Sequence, residues 1–306
     1  MMITLLVASS VVFFVLEILP GDPAAVMLGI NAEADTLAAL RAELGLDRPV
    51  AVRYLSWLAD LCQGDLGVSY TYDVPVLDLI KERVYLSFPL AVLAITLSTF
   101  IAIPLGIIAA SNHARPMDFL VMIFSQLGIA IPNFWFALLL IIFFSIFMGL
   151  LPAGGFAGWD AGIIPALSSL LLPTVALALP QAAILTRVTR SSLLEVLKED
   201  YIRTAHAKGG SSRRILWRHA LRNAMIPVVT IMGLQFSFLL SGTIIIENVF
   251  YLPGIGRLIF QAIAQRDLIV VKNLVILLAV SVVVINFIVD MLYAVIDPRL
   301  RGAQNV

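Results

Sequence analysis

Charge is scarce in this sequence: Asp, Glu, Lys and Arg make up 13% of 306 residues, whereas hydrophobic residues make up 60%. The length alone allows two soluble domains, but that ratio and a mean hydropathy of +0.99 exclude them, and the chain reads as a multispanning membrane protein. Cysteine is nearly absent, with Cys62 alone, so no intramolecular disulfide is possible. The three histidines, His113, His206 and His219, lack the spacing of a metal site, and none is expected. A G-x-x-x-x-G-K-[ST] phosphate loop is missing; in AKGGSS, from Ala207 to Ser212, the lysine precedes the glycines, so the chain is not expected to bind ATP. No span carries a Ser-His pair, paired aspartates or H-E-x-x-H, which argues against an intramembrane hydrolase. Acids within apolar stretches, Glu17, Glu247 and Asp290, sit toward helix ends, so the usual relay of a proton-coupled carrier is missing. The first twenty residues lack a basic lead-in and an A-x-A-like cleavage site, and read as a retained span.

What is present is apolar length. A span needs about 20 apolar residues, and six stretches qualify: Met2 to Leu19, Pro89 to Ala110, Phe119 to Leu150, Leu167 to Leu185, Ile226 to Ile246 and Leu268 to Ile296. Six spans put both termini on one side. The formal net charge of zero hides an asymmetry: Gly21 to Ser87 holds ten acids and five bases, while Arg187 to Arg222 holds nine bases and three acids. With SNHARPMD and the tail DPRLRGAQNV, that basic block carries twelve of the twenty Lys and Arg residues, which places these segments and both termini in the cytoplasm.

The basic stretch Arg187 to Pro227 reads as helix, break, helix. Leu194, Leu197, Tyr201 and Ala205 recur at three and four, on one face of a short helix, with Lys198 and Arg203 turned away. That stripe has no nearby sequence to cover it. Gly209 and Gly210 stop the helix, Ser211 or Ser212 caps the next, and Arg213 to Asn223 forms a basic helix with Trp217 at the membrane interface. From the residues alone, a surface-lying, topology-setting loop and a partner-docking helix are equally good readings.

Residues 20–88 are too long and patterned for a connector. Asp35 caps a helix bearing Leu37, Leu40 and Leu44 and closed by Gly45; Pro49 opens another bearing Val50, Tyr54, Trp57, Leu58 and Leu61 and closed by Gly64. Both are expected to be amphipathic. Pro104, Pro132, Pro173 and Pro180 fall within spans and are expected to bend them. In the fifth span Gly233, Ser237 and Ser241 repeat at i+4, a strip suited first to close helix packing and second to a pore wall. Gln126, Asn133, Gln181, Gln235 and Asn286 are polar candidates for the same wall. After that span, Pro253, Gly254 and Gly256 make a turn, and Leu258, Ile259, Ala262 and Ile263 give an apolar helix face.

DYIRTAHAKGG followed by RRILWRHALRNAMIP resembles the EAA loop of importer-type ABC transporter permeases, in the variant of the dipeptide, oligopeptide and nickel branch. The motif's Glu-Ala-Ala-x-x-x-Gly falls on Arg203, Thr204, Ala205 and Gly209, and the second Ala and the Gly match. LPGDPAAVMLG, LGLDRPVAVRYLSWLADLCQGDLGVSY, PVLDLIKERV and ENVFYLPGIGRLIFQAIAQRD are similar to the same branch, so the likeness covers nearly the whole chain. It implies an all-α polytopic fold of the type I importer permease, with the first helix at residues 1–19, an external helical subdomain at 20–88, a core at 89–298 containing a coupling loop at 187–226, and a cytoplasmic tail at 299–306. It implies ATPase contact through Leu197, Asp200, Tyr201, Arg203, Thr204, Ala205, Ala207, Lys208 and Gly209, and a translocation path along Gln126, Asn133, Gln181, Gly233, Gln235, Ser237 and Ser241. The implied role is a non-catalytic inner-membrane permease subunit for di- or oligopeptides, with nickel chelates, opines or glutathione as alternative cargo. The implied partners are a second permease, two ATP-binding subunits that hold ATP and Mg, and an external solute-binding protein; no cofactor is expected on this chain. From another class, the rival is a stand-alone secondary transporter, which an inverted repeat would support; none is visible.

Overall fold

The computed structural model describes residues 2–18, 23–28 and 33–296. The predicted end of the first span at Leu19 and the tail at 299–306 lie outside them. Among the described residues there is no strand, only an isolated antiparallel bridge between Val68 and Pro75. The helices are α1 (Met2–Ile18), α2 (Pro23–Leu28), α3 (Ala34–Glu43), α4 (Val50–Gln63), α5 (Val76–Ser111), α6 (Pro116–Ala130), α7 (Asn133–Leu140, running on as a π-helix over Ile141–Phe147), α8 (Ile163–Val196), α9 (Asp200–Ala207), α10 (Ser212–Ile215, then π-helical over Leu216–Ala220), α11 (Leu221–Val249), α12 (Ile255–Ala264) and α13 (Leu268–Ile296).

Four continuous helical runs are long and apolar enough to cross a bilayer: Val76–Ser111, Ile163–Val196, Ser212–Leu240 and Leu268–Val289. The predicted single span over 119–150 is instead a bent pair, α6 and α7, which turn by 100° and are together long and apolar enough for a fifth. Pro132 explains the break. Its ring disfavours helical backbone at Ile131, which is extended at φ −82° and ψ 124°. Pro104, Pro173, Pro180 and Pro227, by contrast, lie inside continuous helices. α1, with 17 residues described, is largely apolar and carries Glu17 in its last turn.

The chain divides into two compact units, and the division falls within α5 and α13. One unit comprises residues 1–87 and 253–283. Its main core joins Val76, Leu79 and Ile80 of α5 to Leu258, Ile259 and Ala262 of α12 and Val270, Val271 and Leu274 of α13. A smaller cluster sets Phe13 against Trp57 and Ile276. Two hydrogen bonds tie polar groups across this core: Trp57 Nε1 donates to Asn273 Oδ1 at 3.0 Å, and Asn273 Nδ2 donates to the Leu66 carbonyl at 2.6 Å. The buried Asp267 accepts from Ser69 Oγ at 2.5 Å and from the N–H groups of Thr71 and Val270 at 3.1 and 3.2 Å, which caps the start of α13.

Three local expectations are corrected here. Glu33, not Asp35, holds the N-cap of α3, and α3 buries no residue fully, so only α4 is strongly amphipathic, burying Trp57. Gly256 lies inside α12 rather than in the turn before it, and is buried with Leu258, Ile259 and Ala262, whereas Ile263 is exposed. Gly45 and Gly64 do close α3 and α4, at φ +65° and +78°.

The other unit comprises residues 88–252 and 284–306, with α8 packed against α6, α7 and α11. Close approach needs small residues at the crossings. A Cβ on Gly106 of α5 would lie 2.5 Å from Thr189 Cβ of α8, and one on Gly128 of α6 would lie 2.9 Å from Ala183 Cβ.

Candidate docking loop and polar face

The segment between α8 and α11 takes its shape from one stop signal and one buried anchor. α8 runs to Val196, the chain turns at Leu197–Glu199, and α9 begins at Asp200 with Glu199 extended at the N-cap. Leu194 and Leu197 therefore do not share a continuous helix with Tyr201 and Ala205, as their spacing predicts. Nor does the stripe stand uncovered: Leu194, Leu197 and Ala205 pack on a cluster formed by Leu193, Ile202, Ile215, Ala220 and Ala224 with Ile107 and Ala110 of α5. Ile202, 1% exposed, pins α9. The spacing argument overlooked it because it sits between two residues of the chosen face; its β-branched bulk in an otherwise polar turn was the available signal.

A Schellman stop ends α9. Gly210 N–H donates to the Ala205 carbonyl at 3.2 Å and Gly209 N–H to that of His206 at 2.9 Å, with Gly209 at φ +82°. A Cβ on Gly210 would lie 2.9 Å from the Ala205 oxygen, so both glycines of the pair are structurally required. Ser211 occupies the next N-cap without a side-chain capping bond. The basic helix expected over Arg213 to Asn223 is not a separate interfacial element: α10, its π-helical turn and α11 run continuously from Ser212 to Val249. No glycine or proline interrupts Ser212 to Ile226, so nothing stops the helix there, and Arg213, Arg214, Arg218 and Arg222 project from its exposed first turns.

Asp200, Tyr201, Arg203, Thr204, His206, Ala207, Lys208 and Gly209 are exposed on α9 and its stop, while Ala205 and Leu197 are half-buried. Arg203 Nη1 reaches Asp200 Oδ1 at 3.2 Å, and Tyr201 Oη accepts from Asn223 Nδ2 at 2.7 Å, which ties α9 to the start of α11. Between them lies a groove of about 440 Å³ lined by Tyr201, Thr204, Ala205, Lys208, Gly210, Arg214, Ile215 and His219.

The other end of α8 anchorage was not visible in the sequence. Arg190 grips the buried Asp118 at the start of α6 with two nitrogens, Nε to Oδ1 at 2.6 Å and Nη2 to Oδ2 at 2.8 Å. Ala114 N–H donates to the same carboxylate at 3.0 Å, and His113 Nδ1 lies 3.3 Å from it. The two residues are 72 apart, and only the basic block's position opposite the short loop hinted at the pair.

Of the polar-face candidates, Gln181 and Gln235 come together: Gln235 Nε2 donates to the Gln181 carbonyl at 3.0 Å. Gln235 is buried and its Oε1 has no partner among the described residues. Ser237 is buried, with Oγ donating to the Gly233 carbonyl at 3.2 Å. A Cβ on Gly233 would overlap the side chain of Val289 of α13, so this part of the strip serves helix packing. Asn133 opens α7 half-buried, Asn286 is half-buried on α13, and Gln126 is exposed on α6; nothing joins these three to the Gln181–Gln235 pair. The side chain of Ser241 lies outside the described residues.

Long apolar helices, one bent helix pair and a short, mostly exposed polar helix ended by a glycine stop define an integral membrane protein. The chain belongs to the family of binding-protein-dependent transport system inner membrane components: the family's model matches residues 102–302, and the model of its membrane component's N-terminal part matches residues 1–91. It is thus an ABC importer permease, the non-catalytic membrane component, with the ATPase on separate subunits. It is 40% identical over 290 residues to a probable peptide ABC transporter permease protein of Sinorhizobium fredii, covering 95% of this chain and 93% of that one. It is 41% identical over 297 residues to a putative peptide transport system permease protein of Brucella abortus, covering 97% and 95%. It is 40% identical over 298 residues to the glutathione transport system permease protein of Escherichia coli, covering 97% and 95%. Among solved structures, the MetNI methionine ABC transporter is similar in fold at a TM-score of 0.60 and 17% identity, over 72% of this chain and 96% of that one. An amino acid ABC transporter gives 0.55 and 14%, over 71% and 94%.

Proposed function

We propose that the chain forms half of the translocation pathway for di- or oligopeptides, and that α9 is the element through which a separate ATP-hydrolysing subunit drives it. The observation that carries the reading is the division of labour within α9: one residue, Ile202, is buried in the permease, while Asp200, Tyr201, Arg203, Thr204, Ala207 and Lys208 are left outside beside an open groove. A short helix seated by Ile202, with Ala205 half-buried and Tyr201 tied to Asn223, can tilt as a lever, and its exposed polar face is free for a partner. In this reading Leu197, Ala205 and Gly209 set the lever's hinge, seat and stop. The complex contains a second permease of the same kind, two subunits that bind ATP and Mg, and an external solute-binding protein.

The concentration of bases near α9 and α11 supports a cytoplasmic location for this loop and for both termini. Residues 20–88 then form an external subdomain, and residues 89–298 the core. The peptide cargo rests on the peptide-permease relatives, with glutathione, itself a small peptide, next to it. Gln181, Gln235 and Ser237 are the pathway residues best supported, since Gln235 keeps an unpaired carbonyl oxygen at depth; Gln126, Asn133, Gly233 and Ser241 complete the proposed wall.

Ala205→Arg places a charge in the half-buried seat of α9. In proteoliposomes containing all subunits it is expected to abolish peptide uptake while ATP hydrolysis continues. A Thr204→Cys variant in a Cys62→Ser background is expected to cross-link to the ATPase subunit. Normal uptake by the first variant together with no cross-link from the second refutes the docking role.

A further inference from the structure

We propose that the cavity in the unit built from residues 1–87 and 253–283 binds the headgroup of a phospholipid bearing a phosphate and a primary ammonium. Arg48 and Lys272 face the phosphate, and Asp60 and Asp65 face the ammonium. The cavity measures about 210 Å³, and all four residues line it.

The charges argue for a ligand with two poles. Arg53, also on the wall, is already neutralised by Glu17 at 2.6 Å. Two cations and two carboxylates remain on the wall: Lys272 is half-buried, and Arg48, Asp60 and Asp65 are exposed. None of the four forms a salt bridge among the described residues, although Asp60 and Glu17 lie near enough to act electrostatically on Lys272; Asp65 accepts the N–H of Gly67 at 2.8 Å. They stay apart because they stand on separate supports: Arg48 precedes α4, Asp60 lies in its last turn, Asp65 follows its glycine stop and Lys272 belongs to α13. Lys272 is mostly enclosed, with its ammonium 5.4 Å from the Trp57 ring centroid and 5.9 Å from that of Phe13. Aromatic faces steady a cation without neutralising it. An enclosed ammonium needs an oxygen acceptor, and a simple anion would satisfy it only by approaching Asp60 and Asp65. A zwitterion meets both demands.

The depth argues for a lipid. Lys272 lies one turn into α13, whose residues from Leu268 to Val289 form the most apolar of the long helices among the described residues. Lysine beside Trp57, with Tyr70 on the same cavity wall, is the side-chain mixture found at headgroup level. The argument needs only that α13 enters the bilayer near Leu268, on either face.

The test uses the full transporter in nanodiscs of equal phosphatidylethanolamine, phosphatidylglycerol and phosphatidylcholine, with retained lipids counted by native mass spectrometry. Phosphatidylethanolamine is expected to be retained above the other two. Lys272→Met keeps the stem over the rings, and Arg48→Gln alters an exposed residue outside the core, so the pair guards against misfolding. Each is expected to lower that retention about tenfold, the effect of losing one charge-assisted hydrogen bond. Asp60→Asn is expected to erase the preference over phosphatidylglycerol. Equal retention of the three lipids, or retention unchanged by both cation variants, overturns the site. Displacement by free phosphoethanolamine at millimolar concentration would assign the cavity to a soluble zwitterion and overturn the lipid assignment.

Discussion

Asp118→Ala removes the carboxylate that receives Arg190 at 2.6 and 2.8 Å and the Ala114 N–H at 3.0 Å. The side chains of Asp118 and Arg190 are 5% and 21% exposed, so solvent cannot replace the lost partner fully. Removing one member of such a buried pair costs about 3–5 kcal/mol, and the partial exposure of Arg190 puts this case near the lower end. Arg190→Ala should cost a similar amount, while the double variant loses the shared interaction only once. A double-mutant cycle on the purified subunit, unfolded with SDS in mixed micelles, should therefore give a coupling of about 2–3 kcal/mol. Arg190 lies fewer than two turns before the end of α8, where the chain leaves for α9. In the proposed mechanism the pair therefore fixes the base on which α9 turns. In proteoliposomes with all subunits, Asp118→Ala should lower uptake per ATP hydrolysed more than it lowers hydrolysis. Additivity of the single variants within about 0.5 kcal/mol refutes the energetic argument, and an unchanged uptake-to-hydrolysis ratio refutes the mechanical one.

The other expectations are as follows. Gly209→Val forces a β-branched residue into φ +82°, at a cost of about 1–3 kcal/mol, and should uncouple transport, whereas Gly209→Asn should keep most of it; equal activity of the two variants contradicts the glycine stop. Gly233→Leu should overlap Val289 and reduce the folded yield, with recovery on adding Val289→Ala; a tolerated single substitution shows that α11 and α13 are not in close contact there. Asn273→Leu strands the Trp57 N–H and the Leu66 carbonyl, each at about 1–3 kcal/mol, and should lower thermal stability and shift the tryptophan emission.

Much of the design was readable along the chain. Helix ends at Gly45, Gly64 and Gly209 follow from local backbone preference, which acts through neighbouring residues and needs no tertiary partner. The length of apolar runs likewise identifies α5, α8, α11 and α13. Pro132 carried the information for a break, but whether a proline bends a helix or ends it depends on what satisfies the freed groups around it. The same residue type passes unbroken through α8 at Pro173 and Pro180. In the basic loop, periodicity grouped Leu194, Leu197, Tyr201 and Ala205 because it assumes one continuous helix. The turn at Leu197–Glu199 resets the phase and brings Ile202 inward.

By itself the sequence determined that this protein lives in a membrane and that a basic segment is set apart by a glycine stop, since both follow from composition and short-range geometry. Tertiary structure alone decided that Asp118 meets Arg190 across 72 positions, that Ile202 anchors α9, and that Arg48, Asp60, Asp65 and Lys272 share one cavity. The physical reason is that a charge's energy depends on which groups replace its water, and those groups come from segments far apart in the chain.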